Sequence, residues 1–393
     1  SFMKIERPYS LLVGPGAEFE GNKLLDIFRS WVYNFVLMTF RVRFISRRTT
    51  NDKQDKNQGN KVLFVVRDWG VRTTLNIDIR ESLSEYCGSD NVVILEVLKY
   101  DNITSILENF LKLNTFSHVI LDTRVMLTTN GFFKAIQSLY DCRLMAKLFH
   151  ANNMICLCGA TDFQPGYKLQ AELLTSCGGL IINWANDNSK ESFPLRHRRH
   201  VGPLFTPKSQ KSIKKLMNSS LDEVPKSDVS IMGANYEPRK SLSDKLIVWL
   251  ESNKISHYLN TRKDLEAFSY LNVFRNSKIS FNTNWVAGRL DKYHFVGRNF
   301  EIALAGSLLL TQKCYGLDLY LEEGKDYIAF GDFDELTKKI DYYLSHEKER
   351  SRIAKSGQQK VLVLFNTNFV WNEINKGLRI HHLSEIKEAK SVS

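Results

Sequence analysis

The stretch Tyr293 to Gln312, YHFVGRNFEIALAGSLLLTQ, decides how the rest of the chain is read. Gly297 and Arg298 read as a turn. Asn299 to Ala305 has helical composition, with Phe300, Ile302, Ala303 and Leu304 supplying an apolar face. Gly306 stands where a helix commonly ends in a left-handed residue. Ser307 to Thr311 then reads as a short buried strand. A loop, helix and strand in this order aim backbone N–H groups and the positive end of a helix dipole at whatever occupies the loop. Arg298 adds a guanidinium to that anion-sized site. Glu301 is the carboxylate near the helix start, and a carboxylate accepts hydrogen bonds from two adjacent hydroxyls, as on a ribose.

Working outward, the same alternation recurs along most of the chain. Upstream, Lys61 to Val66 (KVLFVV), Asn91 to Val97, His118 to Leu121, Met154 to Cys158 and Gly179 to Asn183 read as strands. Helices over Leu75 to Tyr86, Ile103 to Leu113, Gly131 to Ala151 and Tyr167 to Thr175 separate them. Continuous apolar strands alternating with helices predict a parallel sheet covered on both faces. Ligands of such sheets sit at the C-terminal strand ends. The polar residues expected there are Arg67, Asp68, Arg72, Asp122, Arg124, Asp162, Asn186 and Asp187. Asp68, in the loop RDWGVRT, has the chemistry of a general base toward an acceptor hydroxyl. A loop aspartate also caps the following helix or pairs with Arg67 or Arg72, and both readings stay open.

Phe193 to Pro207 breaks the pattern with three prolines and the basic run Arg196 to His200, read either as a segment crossing an interdomain cleft or as a solvated loop. Beyond it, Lys211 to Ser220 reads as a helix. Val229 to Met232 reads as a strand, Gly233 as a turn, and Arg239 opens a helix running through Glu251. A cation in the first helical turn is electrostatically unfavourable, which points to a functional reason for Arg239. Tyr270 to Trp285 carries Tyr270, Arg275, Ser277 and Lys278 before the strand residues Ile279 to Phe281. Asp332 to Ser345 is an amphipathic helix with Asp332 and Glu335 spaced as a capping box. Glu347 to Leu364 is a further, basic helix.

Three of these segments, in order, resemble the donor-binding half of GT-B glycosyltransferases, and most closely the CgeB-like branch related to spore-maturation proteins. The family pattern G-R-x-F-E-x-x-x-x-G stands here as Gly297, Arg298, Phe300, Glu301 and Gly306. Strand, Gly233 and Arg239 form the second match. Tyr270 with Ser277 and Lys278 forms the third. The resemblance covers roughly Asp228 to Leu364 and implies two Rossmann-like α/β domains facing a cleft. The implied division is 1–60 as an N-terminal extension, 61–205 as the acceptor-side domain, 206–364 as the donor domain, and 365–393 as a C-terminal helix and tail returning toward the first domain.

The activity implied is transfer of a sugar from a nucleotide-diphosphate sugar, UDP- or GDP-linked, to a glycan, lipid or protein acceptor, with no metal and no further cofactor. Glu301 would hold the ribose. Gly297, Asn299, Gly233 and Tyr293 would line the donor, with Arg298, Arg239 and Lys278 neutralising the diphosphate. Asp68 would be the base, and His294 would either contact the transferred sugar or merely pack. Many retaining members place a second glutamate eight residues before the first. Tyr293 occupies that position here, so the stereochemical outcome is open. A nucleotide-sugar epimerase of the same architecture, and a non-catalytic protein binding nucleic acid or a membrane surface, are the alternatives.

Composition fits this reading. The chain has 393 residues, 43% hydrophobic and 25% charged, which suits a globular protein of two domains. A net charge of +11 favours anionic partners without choosing among them. The six cysteines show no metal or disulfide spacing and predict free thiols in a reducing, cytoplasmic setting. Ser1-Phe2-Met3 reads as an expression remnant, with no signal peptide evident. Gly16, Gly21 and Lys23 nearly spell a phosphate-binding loop, but Leu24 replaces its hydroxyl and Glu18 and Glu20 would repel phosphate. Leu24 to Arg48 is aromatic and basic, and reads as a helix packed on the first domain or lying on a membrane surface. Thr49 to Asn60 reads as a polar linker.

Overall fold

The computed structural model describes residues 61–67, 74–98, 101–122, 125–126, 132–160, 165–176, 178–184, 200–202, 204–219, 226–233, 237–260, 267–285, 293, 295–314 and 316–379. The extension, the near-miss phosphate loop, the 24–48 segment, Asp68, His294 and the run Arg196 to Arg199 lie outside the described residues.

Two parallel sheets form the frame. The first contains β1 (Val62–Arg67), β2 (Val92–Val97), β3 (His118–Asp122), β4 (Ile155–Ala160), β5 (Gly179–Asn183) and β6 (His200–Val201) in the order β2-β1-β3-β4-β5-β6. Its helices are α1 (Thr74–Cys87), α2 (Ile103–Leu113), α3 (Phe132–Ala151) and α4 (Pro165–Leu174). The second contains β7 (Ser227–Met232), β8 (His257–Asn260), β9 (Ser277–Asn282), β10 (Leu308–Gln312) and β11 (Ile328–Phe330) in the order β11-β10-β9-β7-β8. Helices α5 (Gln210–Asn218), α6 (Arg239–Ser252), α7 (Ala267–Arg275), α8 (Gly297–Ala305), α9 (Phe333–Ser345) and α10 (Glu347–Asn366) accompany it, followed by α11 over 369–379.

Strand alternation sorts side chains to opposite faces. On β4, Cys156 and Cys158 face the outer core of the first sheet, while Leu157 faces the shared interior. That interior is one continuous apolar cluster reaching from Phe64 and Ile120 to Phe300 and Leu309, so the two sheets are joined by a common core. Phe205, fully buried, stacks on Phe300 at 4.3 Å between ring centroids and meets Tyr320 edge-on at 5.2 Å. Burying a ring of this size contributes about 1.5–3 kcal/mol. The proline-bearing connection is thereby nailed into the second half of the molecule.

Three expectations are corrected. Pro194 to Pro207 was expected to oppose regular structure, yet His200 and Val201 pair with β5 as a sixth strand. Ser277 and Lys278 read as preceding the strand and instead open β9. The edge strands β8 and β11 were unanticipated, because HYLN carries little apolar signal and IAF is only three residues long. The C-terminal return is present: Trp371 on α11 donates from Nε1 to Ser82 Oγ on α1 at 2.9 Å and stacks against Tyr86.

Candidate functional site

The C-terminal ends of β7, β9 and β10 meet the N-terminus of α8. Helix α8 begins at Gly297 because Val296 is extended, and it ends at Gly306 with φ 81° and ψ 15°. The Gln358 amide donates to Leu304 O at 2.9 Å and closes that end. At the start, Val296 offers no side-chain acceptor to the first turn, and its carbonyl accepts from the Asn299 N–H at 3.0 Å. The N-cap residue of α6, Pro238, likewise offers no side-chain acceptor, and there Glu237 accepts from both the Ser241 N–H (3.2 Å) and its hydroxyl (2.7 Å).

Arg298 is fixed from two sides. Its Nε donates to the Tyr270 hydroxyl at 2.8 Å and its Nη1 to Asn282 Oδ1 at 3.1 Å. Burial pushes the Tyr270 phenol up to about 12, opposed by Arg298, so it stays protonated around neutral pH. The guanidinium lies flat against Gly233, where a Cβ would stand 2.4 Å from Nη2. Gly233 also has φ 116°, a conformation suited to glycine. Gly233 and Tyr270, read from separate stretches, therefore both contact Arg298. Glu301 lies one turn beyond Arg298 on the same helical face.

Beneath them lies a polar network that sequence reasoning missed. Asn282, Asn284, Asn299 and Thr311 are fully buried. Asn282 Nδ2 donates to Asn299 Oδ1 at 2.6 Å, Asn299 Nδ2 to Asn284 Oδ1 at 3.0 Å, and Asn284 Nδ2 to Thr311 Oγ1 at 2.9 Å. Thr311 closes the ring by donating to Asn299 Oδ1 at 3.0 Å. Each buried amide thus meets partners that offset its desolvation. The signal was present as FNTNW, polar residues directly after an apolar strand.

Other predicted site residues fall elsewhere. The amide of Asn299 is spent inside this network, and its backbone N–H donates to Val296 O at 3.0 Å, so it is not a donor contact. Arg239 is 2% exposed and donates to Met232 O, anchoring the turn after β7. Lys278 sits at the opposite, N-terminal end of the second sheet, paired with Asp228 at 2.7 Å. From Lys278 to Asn282 the strand rises about 13 Å, which sets Lys278 well away from Arg298 and the α8 N-terminus. Tyr293 is exposed and bridges to Trp285, their rings 6.3 Å apart. Gly297 would tolerate a Cβ at 3.5 Å from Thr206 Oγ1.

Glu301 carries a partner that no motif suggested. Lys208 Nζ lies 3.2 Å from Glu301 Oε1 and 2.6 Å from Asp78 Oδ2 on α1. One ammonium thus stands between two carboxylates. Burial alone would lower the lysine, but Asp78 and Glu301 outweigh it and hold the ammonium charged. Burial, reinforced by Glu301, pushes Asp78 up to about 6 against the pull of Lys208. Among the described residues no group of histidine, cysteine and carboxylate side chains could hold a metal, and no helix is long and apolar enough to cross a membrane.

Residues 210–374 match the family model described as glycosyl transferase-like. No curated protein sequence matches the chain. Among solved structures, the chain is similar to HepE from Anabaena in complex with UDP and glucose. The two are 11% identical, with a TM-score of 0.52 over 81% of this chain and 99% of that one. It is also similar to sucrose-phosphate synthase from Thermosynechococcus elongatus, at 9% identity and a TM-score of 0.50 over 84% of this chain and 100% of that one. Likeness at this identity shows the shared fold, two Rossmann-like domains.

Proposed function

We propose that this chain, a glycosyltransferase of the GT-B fold, takes a UDP- or GDP-sugar as donor and binds its diphosphate at the N-terminus of α8. The observation that carries the reading is the convergence of Arg298, Gly233 and the uncapped α8 terminus at the C-terminal edge of the second sheet. The glycine lets the guanidinium lie close to the turn. The helix N–H groups and Arg298 offer charge-assisted bonds to a departing nucleoside diphosphate, the task a divalent cation performs in other transferases. Glu301, one turn on, accepts from the ribose hydroxyls. HepE, solved with UDP and glucose on the same fold, supports a uridine donor.

The acceptor enters from the first sheet. Asp122, Asn76, Gly159 and Trp184 line a small cavity at its C-terminal edge, the side from which Asp68 would act as base. His294 would contact the transferred sugar. The acceptor is a glycan, lipid or protein hydroxyl. We assign the chain to the CgeB-like branch, with the acceptor domain over 61–205 and the donor domain over 206–364. Five free thiols among the described residues support a reducing, cytoplasmic setting.

The test is a thermal-shift panel with UDP, GDP, CMP, TDP and their sugar conjugates on the wild type and Glu301→Ala. A nucleotide at about a hundred times its Kd stabilises by about 2.7 kcal/mol. The reading expects a shift with UDP or GDP that Glu301→Ala abolishes. No shift with any nucleotide would contradict it, and turnover of a nucleotide sugar without acceptor would favour an epimerase.

A further inference from the structure

Lys208 lies outside the matched residues 210–374 and outside every motif read from the sequence. Its side chain is 5% exposed, and those of Asp78 and Glu301 are 9% and 14% exposed. A single carboxylate neutralises a buried lysine. Two carboxylates leave the cluster with surplus negative charge, which burial penalises. Stability alone therefore gives no reason for Glu301 to join the shorter Asp78–Lys208 pair.

We propose that Lys208, anchored on Asp78, is the positioning residue of the donor site and holds the Glu301 carboxylate where it meets the ribose. The inference rests on the ribose role given to Glu301 above. An ammonium carries three donors and no acceptor. One is used on Asp78 and one on Glu301 Oε1, which leaves Oε2 to accept from hydroxyls. The anchor itself is rigid. On α1, Glu81 accepts from the hydroxyls of Ser209 (3.1 Å) and Ser212 (2.6 Å), and Glu85 accepts from the Gln210 N–H at 2.6 Å. Ser209, next to Lys208, caps α5 by accepting from Ser212 N–H at 2.9 Å. Asp78 and the Lys208 backbone are thus fixed to the same post, and Glu301 inherits one orientation before any donor arrives. A carboxylate held in its bound geometry forfeits less freedom on binding.

The experiment is calorimetric titration of UDP against 2′-deoxy-UDP, or the guanosine pair if the panel selects it. The proteins are wild type, Lys208→Met, Lys208→Arg, Asp78→Asn and Glu301→Ala. A hydrogen bond to a charged group separates ribose from deoxyribose by about tenfold or more. Lys208→Met is expected to bring that ratio close to one while barely changing affinity for the deoxy form, and Lys208→Arg to retain most of it. If Lys208→Met fails to fold, Asp78→Asn must lower the ratio in its place. A wild-type ratio in Lys208→Met or Asp78→Asn, alongside its loss in Glu301→Ala, would overturn the inference and leave the ribose reading standing. A wild-type ratio in Glu301→Ala would remove the ribose reading itself.

Discussion

Each sheet has an arginine at its C-terminal edge, and the two are used in opposite ways. Arg67, the last residue of β1, donates to three backbone carbonyls: Val125 at 2.6 Å, Leu98 at 2.7 Å and Asp101 at 3.1 Å. It is 3% exposed, and burial pushes its guanidinium below the usual range. Arg67 ties together the loops after β2 and β3. Arg298 is instead held by two neutral side chains and laid against a glycine beside an uncapped helix terminus. An arginine spent on the carbonyls of two loops is architecture. One braced by side chains beside a helix N-terminus is the group we propose meets the diphosphate.

Removing each arginine sharpens the contrast most. Arg298→Ala is expected to lower kcat/KM for the donor about 10²–10³-fold, the cost of one transition-state donor, while the melting temperature stays within a few degrees of wild type. Arg67→Met is expected to do the reverse. It leaves three carbonyls short of their donor and destabilises by about 3 kcal/mol in denaturant titrations, with nucleotide affinity unchanged. Equal effects of the two substitutions would break the comparison.

Gly233→Ala comes next. Its Cβ would meet Arg298 Nη2 at 2.4 Å, and φ 116° is strained for any side chain. We expect a loss of about 1–3 kcal/mol of stability together with about tenfold weaker nucleotide binding. Asn299→Ala opens the buried network, and a destabilisation of about 2 kcal/mol with donor affinity retained would confirm that the residue supports the site without touching the ligand.

The smallest effect is a pH dependence. Burial is the chief cause holding Asp78 near 6, above its unfolded value of 3.8. A raised carboxyl contributes stability that is fully present below about pH 3.8 and lost as pH rises through about 6. The wild type should therefore lose stability relative to Asp78→Asn between about pH 4 and pH 7 in paired thermal melts. A difference that grows in the opposite direction would reverse the assignment of the surplus charge.

Much of this was legible in the chain, and for local reasons. β1 follows from an unbroken apolar run. Gly306 follows from the need for a left-handed residue after a helix. The spacing of Asp332 and Glu335 gave a cap whose Asp332 Oδ1 accepts from Glu335 N–H at 2.8 Å, although Glu335 reaches back to Gly331 N–H rather than to Asp332. Arg298 and Glu301 shared one stretch, so their common helical face could be read from spacing. Asp78, Lys208 and Glu301 could not be. They are 130 and 93 residues apart, each an ordinary charged residue in its own segment. Only the packing of α1 against the connection and α8 brings them together. Arg239 and Lys278 show the converse failure. Their residue type suited a diphosphate, but burial against Met232 and the direction of β9 assigned them other partners.

The most direct test of the central claim is a crystal structure of the full chain with UDP, or with GDP if the thermal-shift panel selects it. The account predicts diphosphate oxygens within hydrogen-bonding distance of Arg298 and the first-turn N–H groups of α8, with the ribose hydroxyls on Glu301. A nucleotide bound with its diphosphate away from that helix terminus would contradict it.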